Sequence, residues 1–111
     1  MENTDLVLKE LYDVILSRKE EFIEGSYTCY LFSKGLDKIL KKCGEECSET
    51  IIAAKNGNKN EIIGEVADLV YHLLVMMAEC NVDITELINE LKIRSNKQRN
   101  LKVIKEVNKN S

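Results

Sequence analysis

The sequence contains no proline, no tryptophan, only two phenylalanines and only five glycines among its 111 residues. Proline and glycine interrupt helices and supply the turns that a sheet protein needs. Their scarcity, together with 44% hydrophobic residues, favours long helices. So few large aromatic side chains give a small bundle a thin core, which burial against a second copy would extend. We therefore predict an all-α chain of four to five helices, a bundle completed by homodimerisation.

The chain also lacks an excess of positive charge and any long apolar run. Its net charge is −3, with 32% charged residues of both signs, which argues against binding nucleic acid through a basic surface. No apolar stretch is long enough to span a bilayer, and the first residues do not resemble a signal peptide. We expect a cytoplasmic protein with neither a nucleic-acid partner nor a membrane partner.

No CxxC pair is present among the four cysteines. In a reducing compartment we expect free thiols on buried helix faces. The alternative is a zinc site that combines Cys43 and Cys47 with His72 or Cys80. Neighbouring Met, Ala and Val residues favour packing over zinc. The four cysteines are Cys29, Cys43, Cys47 and Cys80.

Apolar periodicity and capping residues divide the chain into helices. We predict a helix over 4–21 capped by Thr4, a loop over 23–28, and a short helical piece capped by Ser26 or Thr28 and ended by Gly35. Longer helices follow over 36–55 and 60–80, and another begins at Asp83. Residues 1–95 form the predicted domain. Residues 96–111 form a polar tail, partly helical or frayed, with a weak apolar stripe of Leu101, Val103, Ile104 and Val107.

Two groups of acidic residues lie on the two long predicted helices, on either side of a polar turn at 56–60. Within each group, spacings of three or four residues put carboxylates on one helix face. The groups are equally far from Gly57, so an antiparallel hairpin would bring them to the same height. They are Glu45, Glu46 and Glu49 before the turn, and Glu65 and Asp68 after it.

So much negative charge on apolar helices is costly unless a cation neutralises it. Ligation by oxygen alone suits Mg²⁺ or Mn²⁺, and these metals usually act on phosphates. A single glutamate here would most simply be a solvated surface residue. Two facing clusters instead favour a functional site.

These clusters fit the pattern EExxE followed by ExxD, and further segments around them complete a resemblance over residues 5–92. The chain resembles the phosphoribosyl-ATP pyrophosphohydrolase family, within the all-α nucleoside triphosphate pyrophosphohydrolases that include MazG-type enzymes and dimeric dUTPases. The matching segments are Leu11-Tyr12-x-Val14-Ile15 with Arg18-Lys19, Gly25-Ser26-Tyr27-Thr28 with Leu31 and Gly35, Lys41-Lys42-x-Gly44-Glu45-Glu46, Ala53-Ala54-Lys55, and Asp68-Leu69-x-Tyr71-His72.

The resemblance implies hydrolysis of an α–β phosphoanhydride. The substrate would be phosphoribosyl-ATP and the products phosphoribosyl-AMP and pyrophosphate, in the second step of histidine biosynthesis. It also implies a Mg²⁺ cofactor, with Mn²⁺ as a substitute, held by Glu46, Glu49, Glu65 and Asp68. Glu45, Glu46 and Glu49 are the predicted catalytic residues, with Glu45 as a helper or base.

Substrate contacts are predicted from basic, hydroxyl and aromatic residues near these clusters. Lys42 shares the face of the first cluster and either forms an intrahelical ion pair or contacts a phosphate. His72 follows Asp68 by one turn, and we expect it to contact substrate or a metal ligand; the alternatives are a catalytic base and a packed, hydrogen-bonded core residue. For the basic and hydroxyl residues the alternatives are surface solvation and helix capping. The predicted substrate-binding residues are Arg18, Lys19, Ser26, Tyr27, Thr28, Lys34, Lys42, Tyr71 and His72.

Two other functions compete with this hypothesis. The first is a MazG-like enzyme that hydrolyses (d)NTPs, since the superfamily shares the carboxylates but not the Ser-Tyr-Thr loop and the Tyr-His pair. The second is a non-catalytic helical dimerisation module with a vestigial metal site. A covalent nucleophile is not expected, because no cysteine has an evident base and hydrolysis by activated water needs none.

Overall fold

The computed structural model describes residues 2–99, and in that range the chain is built from five α-helices without a strand. This confirms the predicted all-α class. None of these helices is both long enough and apolar enough to cross a bilayer. The helices are α1 (Glu2–Glu20), α2 (Tyr27–Lys34), α3 (Leu36–Asn56), α4 (Lys59–Glu79) and α5 (Ile84–Arg99).

Local sequence signals explain most of the helix ends. The Ser26 side chain accepts a hydrogen bond from the backbone N–H of Cys29 at 3.1 Å and so caps α2, as predicted. Gly35, with φ of 93°, separates α2 from α3 in a backbone conformation that side chains disfavour. The predicted cap at Thr4 is wrong, because α1 begins two residues earlier, at Glu2.

The turn between α3 and α4 is a compact helical hairpin. Gly57 adopts the left-handed conformation, and its N–H donates to the carbonyls of Ala53 and Ala54 at 3.1 and 3.2 Å. Asn58 then caps α4 by accepting from the N–H of Glu61 at 3.1 Å. The turn predicted at 56–60 is therefore confirmed, and the two long helices run antiparallel from it.

The core lies where α4 packs against α1, α2 and α3. Ile15, Leu31, Ile39, Leu74 and Val75 are its largest fully buried side chains, and they come from these four helices. Helix α5 adds two further buried isoleucines to the same cluster. The core thus fixes one side of α4 and leaves its other sides for the hairpin and the surface.

The end of α4 is held by residues of α1. The Lys19 ammonium donates to the Ala78 carbonyl at 2.7 Å and to Asn81 Oδ1 at 3.2 Å. The Tyr12 hydroxyl donates to the carbonyl of Val82. Free carbonyls and the negative end of the helix dipole make this a favourable place for a cation. Lys19, predicted as a phosphate contact, therefore lies at the C-terminal end of α4.

Helix α5 begins after Asp83, whose carboxylate accepts from the Thr85 N–H at 2.8 Å. It continues to Arg99, past the domain boundary predicted at residue 95. The rest of the predicted tail, including the stripe from Leu101 to Val107, lies outside the described residues.

Replacing Lys19 with methionine should destabilise the chain, because the Ala78 carbonyl loses a charged donor while the aliphatic stem is kept. We expect the free energy of unfolding in urea to fall by about 1 kcal/mol. Arg18→Met is the matched control, since in residues 2–99 the Arg18 side chain donates only to the side chain of its neighbour Ser17. Equal stabilities for the two variants would contradict a capping role for Lys19.

Candidate active site

Three of the four predicted metal ligands meet across the α3–α4 hairpin. Carboxylate oxygens of Glu46, Glu49 and Glu65 lie within 4.8 Å of one another. Among the residues that the structure describes, no other group of His, Cys, Asp or Glu side chains has this spacing. The zinc site considered for the cysteines is therefore not assembled there. Asp68 lies outside the group, one turn further along α4 on an exposed position.

Two polar contacts between α3 and α4 support the hairpin register that creates this carboxylate triad. Thr50 Oγ1 lies 2.8 Å from the carbonyl oxygen of Glu46 and 3.2 Å from that of Glu65, so one hydroxyl reaches both helices. Two turns away, the Cys43 thiol donates to the carbonyl of His72 at 3.4 Å. Sequence reasoning missed Thr50. The signal was there, because Thr50 and Glu65 are symmetric about the turn.

Glu46 is the most enclosed member of the triad, with 6% of its surface exposed. Burial raises the pKa of its carboxyl above the ordinary value, and the charge of Glu49 raises it further. His72 and Lys42 act in the opposite direction and lower that pKa. The site therefore holds a carboxylate whose ionisation depends on nearby positive charge.

Glu65, on α4, also has a carboxyl whose charged form its surroundings disfavour. Desolvation raises the pKa of its carboxyl, and the charges of Glu49, Asp68 and Glu61 add to the effect. Its Oε1 atom is buried and lacks a hydrogen-bond partner in the described part of the chain. A buried oxygen without a partner is costly, and a cation would satisfy it. A set of carboxylate oxygens alone is also the donor set that Mg²⁺ and Mn²⁺ prefer, so the residues fit such a metal.

Lys42 supplies positive charge on one side of the triad. Its Nζ lies 3.2 Å from Glu45 Oε1 and 3.7 Å from Glu46 Oε2, which realises the predicted intrahelical ion pair. The hydrogen bond from Lys42 lowers the pKa of the exposed Glu45 carboxyl. Glu45 thus contacts Lys42 and is not part of the triad.

The predicted substrate loop docks on α4 beside this site. The Tyr27 hydroxyl lies 2.8 Å from His72 Nε2, and His72 Nδ1 lies 2.7 Å from the carbonyl oxygen of Asp68. Because a carbonyl only accepts, His72 Nδ1 carries a proton and donates in that bond, and the proton shared between Nε2 and the Tyr27 hydroxyl completes the second one. The hydroxyls of Thr28 and Tyr71 also bond to each other. His72 is buried, so its contacts join α2 to the ligand-bearing helix.

The other predicted basic contacts lie apart from the triad within the chain. Arg18 Nη1 donates to Ser17 at 3.1 Å, and Lys19 caps α4. Lys34 lies at the end of α2, with its ammonium 5.7 Å from the ring centroid of Tyr30. Among the residues that the structure describes, Lys42 is the one predicted basic contact that pairs with Glu45 and Glu46.

The profile of one protein family, described as phosphoribosyl-ATP pyrophosphohydrolase, matches residues 8–95. The chain belongs to this family. It is 55% identical over 102 residues to the phosphoribosyl-ATP pyrophosphatase of Clostridium novyi (strain NT), covering 92% of both chains. It is also 55% identical over 102 residues to the phosphoribosyl-ATP pyrophosphatase of Listeria monocytogenes serotype 4a (strain HCC23). That match covers 92% of this chain and 98% of the Listeria protein. The family resemblance predicted from the carboxylate pattern is confirmed.

A third relative carries this region inside a longer protein. It is the histidine biosynthesis bifunctional protein HisIE of Caldanaerobacter subterraneus subsp. tengcongensis, which is 53% identical over 91 residues. The match covers 82% of this chain but only 44% of that protein. The triad, Lys42 and the Tyr27–His72 contact all lie within the region that the family profile matches.

Replacing Glu65 with glutamine should stabilise the metal-free chain, and increasingly so as the pH rises. A carboxyl whose pKa is raised by folding stabilises the folded state below its ordinary pKa, about 4.5, and this contribution is lost as the pH rises through the raised value. Glutamine is neutral throughout. We therefore expect the melting-temperature difference between Glu65→Gln and the unsubstituted chain to grow from pH 4.5 to pH 7 in the presence of a chelator.

The control for this titration is Glu10→Gln, on an exposed position of α1. Its melting temperature should follow that of the unsubstituted chain across the same pH range. A Glu65→Gln protein that becomes relatively less stable as the pH rises would show that the triad is not repulsive.

Proposed function

We propose that this chain hydrolyses phosphoribosyl-ATP to phosphoribosyl-AMP and pyrophosphate, the second step of histidine biosynthesis. The observation that carries the proposal is the convergence of Glu46, Glu49 and Glu65 from two helices in a member of this family. Relatives that are 55% identical over nearly their whole length bear the name of this activity. The chain would thus be a hydrolase that acts on a phosphoanhydride bond.

Mg²⁺ is the cofactor in this proposal, with Mn²⁺ as a substitute. Glu46, Glu49 and Glu65 would hold it, with Asp68 as the fourth candidate one turn along α4. When bound, it would neutralise the carboxylates, polarise phosphoryl oxygens and lower the pKa of water. Two observations support this assignment: the buried Oε1 of Glu65, which has no hydrogen-bond partner within residues 2–99, and the raised pKa values of the Glu46 and Glu65 carboxyls.

The protein's own groups would orient the polyphosphate at this metal. Lys42 presents an ammonium beside the triad, and Glu45 holds it there by an ion pair of 3.2 Å. A cleft of about 290 Å³ at the turn end of the hairpin is lined by Glu49, Glu61 and Glu65, which leaves the triad open to solvent. A polyphosphate arriving through that opening would meet the metal held by Glu49 and Glu65 first, and Lys42 would stand beyond Glu46 on the other side of the triad. Glu45 thus acts through Lys42 in this account.

A homodimer is the assembly that the surface supports. The face of α4 formed by Ile63, Val66, Val70 and Leu73 is between 37% and 58% exposed, and Ile51 on α3 is 60% exposed. The spacing of the α4 residues is helical, so they form one continuous stripe. Burying such a stripe contributes about 25 cal/mol per Å². A second copy of the same stripe, related by a twofold axis, is the simplest cover.

We also propose the cytoplasm as its compartment. All four cysteines are free thiols. Free thiols persist in a reducing environment.

Removing one triad charge while keeping its shape should abolish turnover. We expect Glu46→Gln, Glu49→Gln and Glu65→Gln each to lower kcat/KM for phosphoribosyl-ATP by about 100-fold or more, since the metal contributes several kcal/mol. Glu61→Gln, which removes an acidic residue of the same cleft outside the triad, should stay within about threefold. Near-normal turnover in any two triad variants would contradict the site.

The same pyrophosphate assay separates the competing functions. A panel of dNTPs and phosphoribosyl-ATP is offered to the unsubstituted chain with and without Mg²⁺. The proposal predicts the highest kcat/KM for phosphoribosyl-ATP, and only with the metal. A preference for a dNTP would instead indicate a MazG-like enzyme, and no release from any nucleotide would indicate a non-catalytic dimerisation module.

Charging the apolar stripe should separate the proposed dimer. We expect light scattering to report a dimer at micromolar concentration, and a monomer for Val70→Asp, because an aspartate there would be buried without a partner. Val7→Asp is the matched control, since Val7 is 62% exposed on α1 and lies outside the stripe. A monomeric unsubstituted chain with full activity would contradict the dimer.

A further inference from the structure

Two tyrosines of α2 form a continuous exposed aromatic surface. The rings of Tyr27 and Tyr30 are nearly parallel, with an interplanar angle of 26° and centroids 6.2 Å apart. That separation is at the long end for offset pairs, so the rings are displaced sideways. They remain 46% and 41% exposed. Each ring thus keeps surface that a flat ligand can contact.

The inner end of this surface is fixed beside the carboxylate triad. The Tyr27 hydroxyl bonds to buried His72 at 2.8 Å, and His72 bonds to the backbone of Asp68 at 2.7 Å. The Tyr27 and His72 rings also meet edge to face, with centroids 5.6 Å apart. These contacts hold Tyr27 in one orientation, whereas an ordinary exposed tyrosine rotates freely.

The outer end carries a positive charge. The Lys34 ammonium lies 5.7 Å from the centroid of the Tyr30 ring, on the last turn of α2. Going outward from the triad, the order is therefore Tyr27, Tyr30 and then Lys34. A second cation thus stands away from the carboxylates, across an aromatic surface.

We propose that Tyr27 and Tyr30 form the surface on which the purine base of the substrate stacks, and that Lys34 pairs with the phosphate on the far side of that base. This inference rests on the proposed function, because phosphoribosyl-ATP carries a second phosphate on a ribose attached to its base. The triphosphate would point to the triad and the second phosphate to Lys34. Lys34 then distinguishes this substrate from ATP, which lacks that group.

General chemistry supports each part of this assignment. Every base has a π-face, and stacking on an aromatic side chain typically strengthens binding about fivefold or more. A lysine pairs with phosphate as a flexible point charge, so Lys34 can leave the Tyr30 ring when a phosphate arrives. The two contributions to binding are separable, because only the phosphate of the phosphoribosyl group needs Lys34.

The test is a calorimetric titration of phosphoribosyl-AMP and of AMP, which share the purine base and differ in the phosphoribosyl group attached to it. We expect Tyr30→Ala to weaken binding of both ligands about fivefold or more, and Tyr30→Phe to restore it to within about twofold, because the ring is kept. Lys34→Met should weaken phosphoribosyl-AMP by a similar factor and AMP by less than about twofold. Phe22→Ala, which removes the 72% exposed aromatic ring of the loop before α2, should change neither affinity.

Unchanged affinities in Tyr30→Ala, or an equal loss in Phe22→Ala, would overturn the stacking surface. Equal weakening of AMP and phosphoribosyl-AMP by Lys34→Met would overturn the phosphate contact, and so would no weakening of either. A wild-type chain that binds neither ligand would overturn both. The titration needs no turnover, so its result is separate from the pyrophosphate assay, whose failure would refute the proposed function itself.

Discussion

Mutual repulsion among three carboxylates is the constraint on which the site depends. One oxygen from each lies within 4.8 Å of the others, and Glu65 Oε1 is buried without a hydrogen-bond partner among the described residues. Such an arrangement persists only because the rest of the chain holds it. The Gly57 turn sets the register, Thr50 joins the two helices at the height of the triad, and Lys42 offsets part of the charge. In this account, repulsion among the carboxylates lowers the stability of the metal-free chain. A cation relieves that repulsion, and this strengthens its binding.

Helix α4 serves three purposes on three sides. One side enters the core through Leu74 and Val75, and another carries Glu65 and His72 to the site. The third is the apolar stripe that we assign to a second copy. Any shift of α4 along its axis would disturb all three sides. The hydrogen bond from Lys19 of α1 to the Ala78 carbonyl opposes such a shift. The contacts that stabilise the fold around α4 therefore also position the site.

The sequence predicted the features that depend on local chemistry. The turn at Gly57, the break at Gly35 and the facing of the clusters follow from glycine conformation and helical spacing alone. Features that depend on long-range contacts were not accessible. Lys19 as a cap of α4 requires knowing that α1 ends beside Ala78, and the place of Asp68 outside the triad depends on the rotation of α4. Symmetry about the turn would have revealed Thr50, whereas nothing local marks Lys19.

Diffraction from crystals grown with Mn²⁺ tests the central claim most directly, because the anomalous signal locates the ion without reference to activity. The account predicts a peak about 2.1 Å from carboxylate oxygens of Glu46, Glu49 and Glu65, and no such peak in crystals of Glu65→Gln. The crystals must come from protein that hydrolyses phosphoribosyl-ATP with Mn²⁺. A peak held by other residues, or no peak between α3 and α4 in such protein, would contradict it.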